Sequence, residues 1–384
     1  MSIRRVFFIG LAFSLVLAAC IPGTDLPATA VPATNTTAPT DTSVPPTEPP
    51  TATLPPTATQ PPPADTAVPP TTVPATATLP PGSVPGDGGP EGYLDDRSGP
   101  LALVESYVNA LNRHEYARAY YYWEDGSDVG PFADFEAGFA DTQVVTLTTG
   151  TILGEGAAGN LFYNVPVTLR AATSPGEQVF AGCYVLHLAQ PANQAEPPFR
   201  SLGIRSGVLE EVPAGGDADA IMNAACEGGA VEVTPEAPPA GDISNAYYID
   251  DRSSPAAVLR SFFNAVNRHE YARAYGYWDE GSEVAPFDEF EAGYAETESV
   301  QIMTGTITVD AGAGNLFYRV PTVLTVQAIG GETQVFVGCY VLHLSQPAIQ
   351  GAPYRPIGIR QADVMSVAAD ADLAALLAGA CPPL

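Results

Sequence analysis

Asn112-Arg113-His114-Glu115-Tyr116-Ala117-Arg118-Ala119-Tyr120 occurs twice, returning unchanged as Asn267 to Tyr275, 155 residues later. Self-similarity at a fixed offset sets the domain count before any other reading. The match runs outward in both directions. Asp95-Asp96-Arg97-Ser98 recurs as Asp250-Asp251-Arg252-Ser253, Trp123 as Trp278, and Gly159 to Tyr163 as Gly314 to Tyr318. Gly182-Cys183-Tyr184-Val185-Leu186-His187-Leu188 recurs as Gly338 to Leu344, with one residue inserted in the loop before it. The chain therefore reads as two copies of one domain, over 91–226 and 246–384, joined by a Pro-rich linker at 227–245.

What precedes the repeats is of another kind. Arg4 and Arg5 lead into an apolar run from Val6 to Val16, too short for a comfortable membrane span. The run ends in Leu17-Ala18-Ala19-Cys20, which resembles the lipobox of bacterial lipoproteins. By that resemblance residues 1–20 are a signal peptide and Cys20 carries the lipid. Several acyl chains, at roughly 0.8 kcal/mol per buried methylene, make a stable anchor. Residues 21–90 are Pro, Thr, Ala and Val with little charge, and cannot bury enough apolar surface to offset the entropy of ordering. A disordered stalk is expected, reaching at most about 200 Å at ~3.1 Å per residue.

The net charge is −28, and all 15 basic side chains are arginine. Such a surface repels nucleic acid and anionic headgroups, so the expected contact with membrane is through the lipid alone. Apart from Cys20 there are four cysteines, and four allow three pairings. The repeat selects Cys183–Cys226 with Cys339–Cys381, equivalent bonds closing loops of nearly equal length. Disulfides imply an oxidising exterior location. No cysteine has a Cys or His partner at zinc-finger spacing, and neither a metal nor a cofactor is expected.

Each copy opens with helices. Ser254-Pro255 is an N-cap followed by proline at the first helical position, and Gly99-Pro100 is its weaker counterpart. Leu103, Val104, Tyr107, Val108 and Leu111 share a face, as do Val258, Leu259, Phe262, Phe263 and Val266. After a break at Asn-Arg-His, a second helix carries Tyr116, Ala119, Tyr120 and Trp123, and their equivalents Tyr271, Ala274, Tyr275 and Trp278. A third short pattern follows (Phe132, Phe135, Phe139; Phe287, Phe290, Tyr294). The period then changes to two over 144–153, 161–171, 178–189 and 199–212, and again in the second copy, which predicts strands. Pro166 and Pro321 inside a strand pattern predict an edge or a bulge. Helices first and antiparallel strands after give an α+β class, with a curved sheet wrapped on the helices.

This order resembles the nuclear transport factor two-like superfamily. The resemblance rests on the amphipathic helix, the Glu-Tyr-x-x-Ala-Tyr-x-x-Trp segment, the Phe-x-x-Phe-x-x-Gly-(Phe/Tyr) helix and the sheet. It implies a cone-shaped fold and says little of activity, since that scaffold hosts isomerases, dehydratases and non-catalytic binding modules. It also implies dimerisation through the sheets, so two copies in one chain suggest an internal pseudo-dimer.

Candidate chemistry is sparse. An isomerase or dehydratase needs a base and a hydroxyl donor converging inside the cone, for which Glu136 with Tyr163, and Glu291 with Tyr318, are the pairs to test. His187 and His343 alternate onto the strand face of the cysteines and are expected beside the disulfides, under the C-terminal segment. His114 and His269 are expected in solvent. The loops Glu124 to Asp128 and Asp279 to Glu283 lack the order of an EF-hand and read as solvated acidic turns. The expectation is a lipid-anchored extracellular protein binding a cell-surface partner, cell-wall component or small ligand without catalysis. An isomerase-like enzyme and a ligandless spacer are the alternatives.

Overall fold

A computed structural model describes residues 78–79, 92–226, 228, 231–234 and 238–381. The expected signal peptide, Cys20 and nearly all of the expected stalk lie outside the described residues. In chain order, β1 (Thr78–Leu79) is followed by α1 (Pro100–Asn112), α2 (Tyr116–Tyr121) and α3 (Phe132–Gly138). The first sheet then forms from β2 (Thr142–Thr149), β3 (Leu153–Ala157), β4 (Asn160–Thr173), β5 (Gly176–Ala189) and β6 (Gly203–Glu211), before α4 (Ala218–Ala225) and β7 (Val231–Glu232). The second copy repeats the series as α5 (Pro255–Asn267), α6 (Tyr271–Tyr275), α7 (Phe287–Gly293), β8 (Thr297–Thr304), β9 (Ile307–Gly312), β10 (Asn315–Ala328), β11 (Thr333–Ser345), β12 (Gly358–Val367) and α8 (Leu373–Gly379). The protein is α+β: two antiparallel sheets, each preceded by its own helices.

Local chemistry fixes the helix ends. Ser254 accepts a hydrogen bond from the Ala257 N–H, whereas Gly99 offers no side-chain cap. At the other end of α1 the N–H of His114 reaches Leu111 O and that of Glu115 reaches Ala110 O, both at 2.9 Å. This is the paired C-terminal cap usually built on glycine, here with histidine in the left-handed region at φ 54°. His269 repeats it at φ 55°. The cap turns the chain so that Glu115 and Glu270, the next residues, enter the interior.

In the first sheet the order is β6-β5-β4-β3-β7, with β2 also on β4. The strand expected over 144–153 ends at Thr149 as β2, and a further strand, β3, starts only at Leu153. They pair with consecutive parts of β4, Thr149 opposite Val167 and Leu153 opposite Asn164. Pro166 sits between those two registers, in a central strand, at neither an edge nor a bulge. Its carbonyl accepts from the Gly150 N–H at 2.9 Å, so its missing N–H would point to the same side, where the partner changes strand. Pro321 and Gly305 repeat the arrangement at 2.8 Å. A ladder donor is not needed there, which is how a proline enters the middle of a sheet.

Both faces of each sheet are covered. Tyr184, Leu186 and Leu188 face the helix side, with Leu103, Val104, Tyr107 and Leu111 in the main core. On the other face α8 sets Leu373 and Leu377 against Val323, Val335 and Val337. Disulfides Cys183–Cys226 and Cys339–Cys381 join the chain just beyond α4 and α8 to β5 and β11. Part of the expected linker also joins the first sheet: Val231 and Glu232 pair with Gly154 and Leu153. The corresponding edge of the second sheet, at Ile307 and Thr308, is paired by Leu79 and Thr78 from before the first copy.

Candidate functional site

The two copies belong to one compact unit and meet along Tyr93–Ser98 and Tyr248–Ser253. Asp96 lies opposite Asp251 in an antiparallel bridge. The Arg97 N–H donates to Asp250 O at 2.7 Å and the Arg252 N–H to Asp95 O at 2.6 Å. Asp95 N–H donates to Ser253 Oγ, and Asp250 N–H to Ser98 Oγ, each at 2.9 Å. Each of these backbone and serine contacts on one side thus has its counterpart on the other. Tyr93 enters the core of the second copy while Tyr248 packs against that of the first.

Beneath this seam each copy buries an ionic network. Arg118 donates from Nε to Glu115 at 2.6 Å, from Nη2 to Asn109 Oδ1 at 2.9 Å and from Nη1 to Leu94 O, and lies 4.5 Å over the Tyr93 ring. Arg273 does the same with Glu270, Asn264, Ile249 O and Tyr248. Asp95 and Asp250 accept from Tyr122 and Tyr277 at 2.8 and 2.7 Å. Burial would raise the Asp250 pKa, but the guanidiniums of Arg252 and Arg273 outweigh it and hold the carboxyl below its usual range. Burial, with the facing aspartate added, pushes the Tyr122 and Tyr277 hydroxyls well up. Asp96 is the exception: burial, then the charge of Asp251 opposite, raises it to about 7. Asp251 is raised too, by burial.

Beside the seam opens a cleft of about 740 Å³, walled by both copies. The first supplies Arg97, Tyr121, Trp123, Glu124, Asn160, His187, Arg200 and Arg205, and the second Pro353 and Tyr354. Arg97 is held by Leu202 O and Tyr121 O, with its guanidinium 4.4 Å from the Tyr121 ring centroid. Tyr121 lies 5.7 Å from Tyr354, whose hydroxyl meets that of Tyr93 at 2.7 Å.

His187 is not tied to the disulfide. Further along β5, its Nδ1 is 2.6 Å from Glu124 Oε1 and its Nε2 is 2.8 Å from Asn160 Oδ1, with Phe162 stacked on the ring. His343 is clamped in the same way by Asp279 and Asn315, at 2.8 and 2.9 Å. Glu124 and Asp279, expected in solvent, are the anchors of these histidines and only 18% and 11% exposed. Both ring nitrogens of each imidazole are thus engaged within the protein.

The interiors of the two copies are packed with rings. Tyr107, Trp123 and Tyr184 meet edge to face at 5.9 to 6.3 Å, and burial pushes the Tyr107 hydroxyl up to about 12. Phe135 packs against Tyr120 and Phe139. Glu136 is exposed on α3, where its charge adds to burial in raising Tyr116; Glu291 does the same to Tyr271. Tyr163 flanks the first core and Tyr318 is buried in the second. Among the described residues, no hydrogen bond joins Glu136 to Tyr163. His114 is exposed, as expected from the sequence. Missed there were the buried Arg118, Glu115 and Tyr122, whose signal was a charge pair repeated unchanged on an otherwise apolar helix. Among the described residues no group of three His, Cys, Asp or Glu side chains could hold a metal ion, and no helix is long and apolar enough to cross a membrane.

No family model matches the sequence, and a comparison with curated proteins finds no match. Among solved structures, one described as an Ntf2-like protein involved in plasmid conjugation is similar at 10% identity. The likeness covers 66% of this chain and 94% of that chain, with a TM-score of 0.18.

Proposed function

We propose that this chain is an exported lipoprotein, anchored through Cys20, whose two domains form an internal pseudo-dimer and bind a ligand at the cell surface without catalysis. Each domain is read as a nuclear transport factor two-like cone, from the order of three helices before a curved sheet. The observation that carries the binding reading is the cleft walled by both copies. Its volume falls within the roughly 300–1,000 Å³ of small-molecule sites, and aromatic faces and convergent polar groups line it. Two further observations support a non-catalytic role: the aromatic filling of the cones and the engagement of both nitrogens of His187.

The test is a thermal-shift screen of the full chain against sugars, wall fragments and amino acids, run beside Ala189→Trp, which puts a large ring on the cleft wall that Ala189 forms. Compounds that raise the melting temperature of the parent but not of the variant support the reading. A screen in which no compound separates the two proteins leaves the spacer as the better account. Mass spectrometry of the mature N-terminus tests the anchor, and an unmodified Cys20 would remove it.

A further inference from the structure

We infer that the cleft takes an acidic sugar, a hydroxylated ring bearing one carboxylate, held by Arg200 and Arg205 with its ring against Tyr121. This rests on the proposal that the cleft is a ligand site. A chain of net charge −28 repels anions except where arginines gather, and this cleft contains three of the fifteen. Arg97 is occupied by backbone carbonyls. The Arg200 guanidinium is exposed and, among the described residues, takes no hydrogen bond or ion pair. Arg205 is 57% exposed and reaches Glu124 only at 3.4 Å, while the other oxygen of Glu124 is held by His187 at 2.6 Å. Two guanidiniums are therefore open to a carboxylate, the group their planar donor fork fits.

The second copy shows what an engaged version looks like. There Arg355 is paired with Glu280 at 2.6 Å, and Arg360 donates to Glu280 O at 2.8 Å. In the first copy Asp125 stands at the position of Glu280, one methylene shorter, and leaves Arg200 open. Tyr121 stands where the second copy has Gly276, adding a ring face to the cleft wall. An aromatic face suits the flat side of a ring. Glu124 and Asp125 would repel a second negative charge but accept hydrogen bonds from hydroxyls. One carboxylate with several hydroxyls satisfies all of these groups.

The probe is glucuronic acid, titrated calorimetrically into the full chain, with glucose and benzoate as the ring without the carboxylate and the carboxylate without the hydroxyls. Glucuronic acid is expected to bind about tenfold or more tightly than either, and Arg200→Ala to lose about as much. Asp125→Glu is expected to weaken binding several-fold by capturing Arg200, and Arg355→Ala to leave it unchanged. Equal affinity for glucuronic acid and glucose, or equal effects of Arg200→Ala and Arg355→Ala, would overturn the inference. If glucuronic acid fails while other compounds bind the parent but not Ala189→Trp, only the ligand class is wrong. If none binds, both readings fall together.

Discussion

The two copies agree in their buried ionic networks and part at their rims. Arg118 and Arg273 are 0% and 1% exposed, and each keeps the same carboxylate, amide oxygen, backbone carbonyl and tyrosine ring. At the rim, Tyr121 faces Gly276 in the alignment, Asp125 faces Glu280, and an open arginine faces a paired one. The difference follows from what a change costs. Removing one partner of a buried ion pair strands the other charge at about 3–5 kcal/mol, whereas a surface pair contributes about 0–1 kcal/mol. The buried charges are kept, while the apolar core around them differs, with Tyr107 and Val108 in one copy where the other has Phe262 and Phe263.

The largest effect expected is on that buried equality. Arg118→Ala and Arg273→Ala should each destabilise the protein by about 3–5 kcal/mol in urea unfolding, because Glu115 or Glu270 is left buried without its cation. A cost below about 1 kcal/mol in one copy alone would show that the networks are alike in geometry and unlike in weight.

A smaller effect sharpens the seam, where two segments alike at all but one position face each other. The Asp96 pKa is raised above its unfolded value, so its contribution to stability is present at low pH and is lost as pH rises through about 7. Asp96→Asn keeps an oxygen for the Ser98 N–H and removes the charge facing Asp251. The variant should melt higher than the parent at pH 8, by at least about 1 kcal/mol of added stability, and nearly with it at pH 4. A gain that does not change with pH would rule out the titration of Asp96 as its source.

The smallest expected effect concerns the helix caps. His114→Gly and His269→Gly relieve a side chain in the left-handed region and should each stabilise by about 1 kcal/mol. Thermal melts of the single and double variants check this, and destabilisation by either would mean that the ring edge against Tyr116 or Tyr271 outweighs the backbone strain.

Several elements were legible from the sequence because their signals are local or repeated. Ser254 capping, the apolar faces of α1 and α5, and the cysteine pairing all follow from spacing and from the second copy. The division of one apparent strand into β2 and β3 was not legible. Gly150 is the only break signal in residues 150–152, and the reason for the gap lies across the sheet at Pro166. His187 was assigned to the correct strand face but to the wrong neighbours, because alternation places a side chain above or below a sheet and does not say which loop returns to meet it. Glu124 was misread for the same reason: a carboxylate in a Gly-containing turn looks solvated until its partner is known.

Residue types at short range and the comparison of the copies were enough for the two repeats, their α+β order, their helix starts and their disulfides. The tertiary structure alone decided that Arg118 and Glu115 are interior, that Asp96 meets Asp251, and that Tyr121 and Tyr354 wall one cleft. Those are relations between residues far apart in the chain, and their energies depend on burial and distance, which no spacing records.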